Sequence, residues 1–567
     1  MCGVAAAIRP LGACLACKAP GIAILEQSHR GPHASGSIDM QLPWATISVS
    51  MNRLKIVDQS DIPVPFQYKY CGVVLALNGE IYNWSVLRQE LGGPWETNCD
   101  AEVLARAYRE WGIDGALARF NGMFSFILID TYTFTIHVAR DRFGQKPLCY
   151  AKHGEHLYLS SEAKGLPIKL AETACLDMDT LEYDVLEDMP LAGVKQLLPG
   201  HRLELTGLGD PKLVCWYEMP EVDECTNTEE LLDELESLLL DSVFMRCDAE
   251  VPVALQFSGG LDSVLIHTAC KRLGLDIPLY CVTMDEIDHI TTARNAAPND
   301  WVIPVEVNKA QFFEALHSVA FHLDTPATWT AVCQYLMNEV IARSERIVVS
   351  GEAADEQFSG YSRYRALYWL ERSRHGMLSL AQSDPHLAGY QALINLVSTS
   401  EDPVAALLDR GGTSATGMRA KHWIAKYGGS GPSWRRLART EFHTTMAVLL
   451  RMADKMASAW SLENRCPFLD YRIVELSTRV PESQLINERE SKVLLRNLAR
   501  RWNVPDVVVS EPIKRGLAVP WSMWGPTSNE TARGAWDRSS FARIMRDHWR
   551  KSLLDTHHSC RKLSIDN

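Results

Sequence analysis

Ser258-Gly259-Gly260-Leu261-Asp262-Ser263 joins a strand-like run at residues 251–257 to a helix-like run at 264–273. A strand, a turn carrying two glycines and a helix N-terminus together make an anion site. The glycines let the backbone approach a phosphate closely, the hydroxyls of Ser258 and Ser263 add donors, and the free N–H groups of the first helical turn face the negative charge. The stretch reads as a nucleotide-holding loop. It is not the GxxxxGK[ST] loop, because no lysine stands where that loop requires one.

Working outward, strand-like and helix-like runs alternate: 279–284, 301–307, helical stretches around 312–321 and 332–343, then strand-like 347–350. Alternation of this kind predicts an α/β domain with a parallel sheet covered on both faces. Ligands in such sheets collect beyond the carboxyl ends of the strands. Ser258, Met284 and Ser350-Gly351-Glu352 lie at such ends, so three separated segments are expected to share one crevice. Beyond Tyr361 the chain reads as mainly helical, and arginine-rich amphipathic stretches at 363–372 and 491–502 read as solvated faces.

The first part of the chain has a different rhythm. Short strand-like runs at 45–49, 73–77, 124–129, 135–139 and 156–159 are broken by turns, which predicts a sheet-rich domain over 1–205. A Gly-, Pro- and acid-rich stretch at 206–228 reads as a connector, 229–525 as the second domain, and 526–567 as a loosely ordered tail.

At 567 residues the chain is too long for one ordinary core. A net charge of -13 argues against a nucleic-acid groove as the main surface. No apolar run approaches the ~20 residues that span a bilayer, so no membrane partner and a cytoplasmic location are expected. The 15 cysteines form no dense framework and suit a reducing compartment. Cys14 and Cys17 make one CxxC with no second pair, so no structural zinc is expected.

Cys2 follows the initiator methionine, and a small second residue favours removal of that methionine. Processing leaves a cysteine with a free α-amine, whose pKa of about 7.7–8.0 lies near that of the thiol and lets it serve as local base. Around it occur, in order, His29-Arg30-Gly31-Pro32, Asn52-Arg53-Leu54, Asn78-Gly79-Glu80-Ile81-Tyr82-Asn83, Asp100, Asn121-Gly122-Met123-Phe124 and Arg140-Asp141-Arg142-Phe143-Gly144. This series resembles the class II, N-terminal-cysteine glutamine amidotransferases, and the Ser258–Ser263 loop resembles that of ATP pyrophosphatases. With Ser350-Gly351-Glu352-Ala353-Ala354-Asp355-Glu356, Asp454-Lys455-Met456, Leu462-Glu463-Asn464-Arg465-Cys466-Pro467-Phe468-Leu469-Asp470 and Lys514-Arg515-Gly516, the whole chain resembles the glutamine-hydrolysing asparagine synthetase family.

The resemblance implies an Ntn-type αββα glutaminase sandwich followed by a pyrophosphatase-type synthetase. It makes Cys2 the nucleophile, with Asn78 and the Gly79 N–H as oxyanion hole, and Arg53, Asn78, Glu80 and Asp100 as the glutamine site. ATP falls to Leu255, Ser258, Gly259, Gly260, Leu261, Asp262, Ser263, Met284, Ser350 and Gly351. Mg2+ falls to Asp262 and Asp355, with Glu352 as general base and Lys514 as phosphate counter-charge. Partners are small molecules (glutamine, ATP and a carboxylic acid acceptor), with a homodimer allowed. Ammonia must cross between centres as neutral NH3, which predicts a passage that is apolar along its axis.

The acceptor region Leu323-Asp324-Thr325-Pro326-Ala327-Thr328-Trp329-Thr330-Ala331-Val332 lacks the arginine found in aspartate-specific members, so aspartate and other acids both stand as acceptors. Relatives in specialised metabolism amidate other carboxylates. A catalytically reduced protein with a binding or regulatory role is the competing class. Such a remnant has no need to keep Cys2, Arg53, Asn78, Asp100, Asp262, Glu352, Asp355 and Lys514 together.

Overall fold

The computed structural model describes residues 1–12, 25–173, 189–225, 227–284, 288–326, 328–372, 396–409, 414–510, 524, 541 and 544–554. Lys514, Cys14 and Cys17 lie outside them.

The amino-terminal half is built on two antiparallel sheets. Its strands are β1 (Gly3–Arg9), β2 (Ala34–Gln41), β3 (Thr46–Arg53), β4 (Phe66–Tyr68), β5 (Val73–Ile81), β6 (Gly122–Asp130), β7 (Thr135–Arg140), β8 (Cys149–His153), β9 (His156–Ser160), β10 (Val194–Gln196), β11 (His201–Leu205) and β12 (Lys212–Cys215). One sheet runs β10-β8-β9-β1-β3-β2, the other β12-β11-β7-β6-β5-β4. Each strand-like run of the first domain matches a strand, and β12 continues the second sheet into the connector stretch.

Strand β1 shows why the layers stack. Val4, Ala6 and Ile8 enter the core between the sheets, while Ala7 joins the apolar cluster of the carboxy-terminal half. Alternate residues point to opposite faces, so a strand buried on both reads as the unbroken apolar run Gly-Val-Ala-Ala-Ala-Ile. Cys2 belongs to the inner cluster and sits at the start of this strand. Helices Trp84–Leu91 and Asp100–Arg119 pack together, the latter against β5 and broken at Gly112, where φ is 68°.

The carboxy-terminal half carries a parallel sheet, β13 (Val253–Gln256), β14 (Leu279–Thr283), β15 (Val302–Glu306), β16 (Ile347–Val349) and β17 (Glu463–Arg465), in the order β15-β14-β13-β16-β17. The carboxyl ends of β14, β13 and β16 are therefore adjacent. β17 comes from the Leu462–Asp470 motif, and its three residues are too few to carry a strand period. Helices make up most of the other described residues of this half, including Leu261–Arg272, Trp329–Ile341 and Thr445–Ser458.

Two expectations change. Beyond Pro526, residues 544–554 are helical, with Trp549 fully buried and its Nε1 donating to the Asp324 carbonyl at 2.9 Å. A large aromatic with its N–H satisfied anchors a segment whose sequence shows no other pattern. The arginine-rich stretches are not simply solvated: Arg363 Nε donates to Glu441 at 2.8 Å, and Arg496 is buried. Among the described residues no helix is long and apolar enough to cross a membrane.

Candidate active sites

Cys2, Arg53, Gly79, Glu80, Cys99, Asp100 and Glu463 line one pocket, together with Met51, Leu54, Phe66 and Leu77. Asn78 reaches it from β5, its Oδ1 accepting from the Cys2 N–H at 3.0 Å. Its Nδ2 is fully buried and has no partner among the described residues. An amide donor left unpaired in the interior costs free energy unless something is to bind it. Gly79 has φ 134°, and a Cβ there would fall 2.0 Å from the Met123 carbonyl oxygen, so only glycine lets β5 and β6 close at this point.

Arg53 ends β3. Its guanidinium donates to the carbonyls of Ser60 at 3.0 Å, Val57 at 3.2 Å and Asp58 at 2.7 Å. Three carbonyls fix the fork before any ligand arrives. Asp100 accepts from the Ile81 N–H at 2.9 Å, and burial raises its carboxyl above the ordinary range. Burial likewise raises the Cys2 thiol, which thus needs a base to become a nucleophile.

In the second half, Gly259 has φ 73° and packs against the helix His289–Ala296, where a Cβ would meet Ala293 Cα at 2.8 Å. Ser263 Oγ donates to the Gly260 carbonyl at 3.0 Å, closing the loop. A Cβ on Gly351 would lie 3.1 Å from Asp262 Cβ, so the turn after β16 abuts the loop after β13. Leu255 and Met284 are buried in the adjoining strand ends, and Glu352 is half-buried beside Ala353, which holds the left-handed conformation at φ 79°. A non-glycine residue held there costs on the order of 1–3 kcal/mol, a strain that clusters at working sites.

Lys492 was absent from the sequence-based assignment. Its ammonium lies 2.6 Å from Asp262 and 2.7 Å from Asp355, so it draws both proposed metal ligands together. Burial lowers its pKa despite Asp262. The available signal was a cation at the N-cap of helix Val493–Arg501, where the dipole disfavours positive charge. Gly360 has room for no side chain, because a Cβ would sit 1.9 Å from Asp355 Oδ1 and 2.1 Å from Lys492 Cε. Among the described residues no three His, Cys, Asp or Glu converge as a metal cage.

A charged seam joins the two halves. Arg30 donates to the Cys2 carbonyl at 2.9 Å, to Glu162 at 2.8 Å and, across the seam, to Asp454 at 2.7 Å. Lys455 meets Asp324 at 2.6 Å, and Lys164 meets the same carboxylate at 3.2 Å. Asn121 donates to Asp470 at 2.8 Å, and Arg465 joins Glu80 at 2.8 Å to Glu463 at 2.9 Å. Every one of these charges is paired, and pairing is the condition for burying them. Leu54, Ile56, Phe143 and Leu166 add apolar contact to the same interface.

A family model described as asparagine synthase matches residues 234–564. The chain belongs to the asparagine synthase family. A second model, described as a glutamine amidotransferase domain, matches residues 1–212. Glutamine-hydrolyzing asparagine synthetase 1 of Bacillus subtilis is 27% identical over 571 residues, 93% of this chain and 88% of that one. A putative asparagine synthetase of Mycobacterium bovis is 28% identical, covering 88% of this chain and 83% of that one, and amidase chyE of Penicillium rubens is 24% identical, covering 80% and 77%. With an amidotransferase domain ahead of its synthase domain, this family member is a ligase for glutamine-dependent, ATP-using amide synthesis.

Proposed function

We propose that Cys2 releases ammonia from glutamine and that the second domain adenylates a carboxylic acid and amidates it. The observation that carries the first half is the buried Asn78 Nδ2 beside Cys2, unpartnered among the described residues, a donor in wait of an oxyanion. The α-amine exposed by removal of Met1 takes the thiol proton, the thiolate attacks the amide carbon, and ammonia leaves a thioester that water hydrolyses. Asn78 and the Gly79 N–H hold the oxyanion, Arg53 the glutamine carboxylate, and Asp100 the ammonium, with Glu80 completing the pocket.

In the second domain the acceptor carboxylate attacks the α-phosphorus of ATP, expelling pyrophosphate. Ammonia then attacks the acyl carbon, AMP leaves, and Glu352 accepts the proton. Asp262 and Asp355 would hold Mg2+ as hard oxygen donors, too few to cage it alone. When bound, the ion neutralises phosphate charge. Lys492 and Lys514 supply the protein's positive charge there. The reading includes a domain division within 206–228, a cytoplasmic setting and a homodimer.

The acceptor is aspartate or another carboxylic acid, and the side chains at hand favour a less anionic one. Trp329 stacks edge-on to Phe541 at 6.2 Å, Thr328 reaches Met452 at 3.3 Å, and Arg465 is spent on Glu80 and Glu463. A second carboxylate buried without a cation costs several kcal/mol. Pyrophosphate release from ATP, measured over a panel of carboxylic acids with glutamine present, tests the function. No acid giving pyrophosphate sinks it.

A further inference from the structure

We propose that Glu463 forms a holding site for ammonia between the glutamine pocket and the synthetase centre, and that the Met1 amine occupies this site in the unprocessed chain. The inference rests on the coupled reaction proposed above and names the point through which its shared intermediate passes.

Met1 is buried, its amine 3.5 Å from Glu463 Oε2. Its side chain lies against Arg30 and Lys146, which also grip Asp454. The amine is a nitrogen carrying N–H donors, at the chemical and steric scale of ammonia, and it stands in for that molecule one residue from the nucleophile. When Met1 is removed, as the chemistry of Cys2 requires, a buried space remains with a carboxylate facing it. Glu463 itself is 2% exposed and lines the pocket that holds Cys2, Arg53 and Asp100.

The carboxylate is divided between two tasks. Oε1 accepts from Arg465 Nε at 2.9 Å, which fixes the side chain, and Oε2 is left for the nitrogen. Arg465 is in turn held by Glu80 at 2.8 Å and by the Arg246 carbonyl at 2.9 Å. Burial opposes the charge on Glu463, yet Arg465 and the amine hold it down at about 2, so it remains an acceptor. Burial also lowers the Met1 amine below its ordinary value of 8.0, while Glu463 pulls it the other way. Ammonia at this point donates one N–H to Oε2 and keeps its lone pair.

Strand geometry supplies the onward direction. β17 is the edge strand of the parallel sheet, and its successive side chains face opposite ways. Glu463 and Arg465 face the glutaminase, whereas Asn464 Nδ2 donates to Ser350 Oγ at 3.1 Å, two residues before Glu352. One short, buried strand therefore presents consecutive side chains to the two centres.

The test is an isotope competition in the full, Met1-processed enzyme. Glutamine with a heavy amide nitrogen and unlabelled ammonium chloride compete to aminate an acid that supports pyrophosphate release, and mass spectrometry gives the heavy-to-light ratio in the amide. In Glu463→Gln the ratio is expected to fall about tenfold, the worth of one hydrogen bond to a charged group, and in Glu463→Asp by less. Because it is read within one product, the ratio does not depend on the overall rate. A ratio within about twofold of wild type in Glu463→Gln overturns the proposal. If that variant does not fold, an unchanged ratio in Glu463→Asp overturns it instead. Wild-type enzyme that releases no pyrophosphate, or incorporates no heavy nitrogen, overturns the coupled reaction and this site with it.

Discussion

Replacing Lys492 by alanine probes the synthetase site at its most constrained point. The ammonium stands 2.6 Å from Asp262 and 2.7 Å from Asp355. Without it the two carboxylates repel across a gap it had filled, and breaking such a buried pairing costs about 3–5 kcal/mol. Lys492 is 6% and Asp262 14% exposed, so solvent screening removes little of this. In the proposed reaction the same charge faces phosphate, where loss of one preorganised group raises the barrier by ~2.7–4 kcal/mol. Ammonia-driven pyrophosphate release, followed by a coupled phosphate assay, is therefore expected to fall about 10^2–10^3-fold. Glutamate release at Cys2, in the other domain, is expected to continue. Lys492→Arg should not rescue, because the site is so close-packed that even a Cβ on Gly360 would fall 2.1 Å from Lys492 Cε, and a guanidinium is wider than an ammonium. Pyrophosphate release within about tenfold of wild type in the alanine variant, or recovery with arginine, refutes this reasoning.

Cys2→Ala should abolish glutamate release and glutamine-driven amidation while sparing amidation from added ammonium; a normal glutaminase rate would mean another nucleophile. Asn78→Ala should lower glutaminase kcat about 10^2–10^3-fold through loss of one oxyanion donor, and a loss of under about tenfold would remove Nδ2 from that role. Burial opposes ionisation of Asp470, but hydrogen bonds from Arg472 and the charge of Arg246 hold it at about 2. Since this pKa is depressed on folding, its stabilisation of about 2 kcal/mol is complete above the unfolded carboxylate value and is lost as pH falls through the folded one. Melting temperature should thus drop between about pH 4 and pH 2, and Asp470→Asn should flatten that drop; an unchanged acid slope would argue against it. A kcat/KM for aspartate of ~10^4 M-1 s-1 or more would overturn the less anionic acceptor.

Much of this was legible without coordinates, because it rests on local rules. Period-2 runs marked the strands of the first domain, and the 251–257 strand with its two glycines marked the β13 loop, since strand alternation and glycine freedom act over a few residues. The adjacency of Ser258, Met284 and Ser350 followed from parallel topology alone. Lys492, Arg465 and Glu463 were another matter. Each is a charged residue in a stretch whose local pattern suits a helix face or a loop, and what gives each its place is a partner 230, 385 or 462 residues away.

Sequence alone determined the order of the two domains, the place of a cysteine at residue 2 and the strand–glycine–helix turn at Ser258–Ser263, since these depend on residue type and spacing along one segment. Tertiary structure alone decided which carboxylates share a lysine, which arginine spans the seam, and that the seam is charged. A buried charge is tolerable only opposite a partner. That partner is chosen by the packing of sheets and helices, which bring together residues that no local period relates.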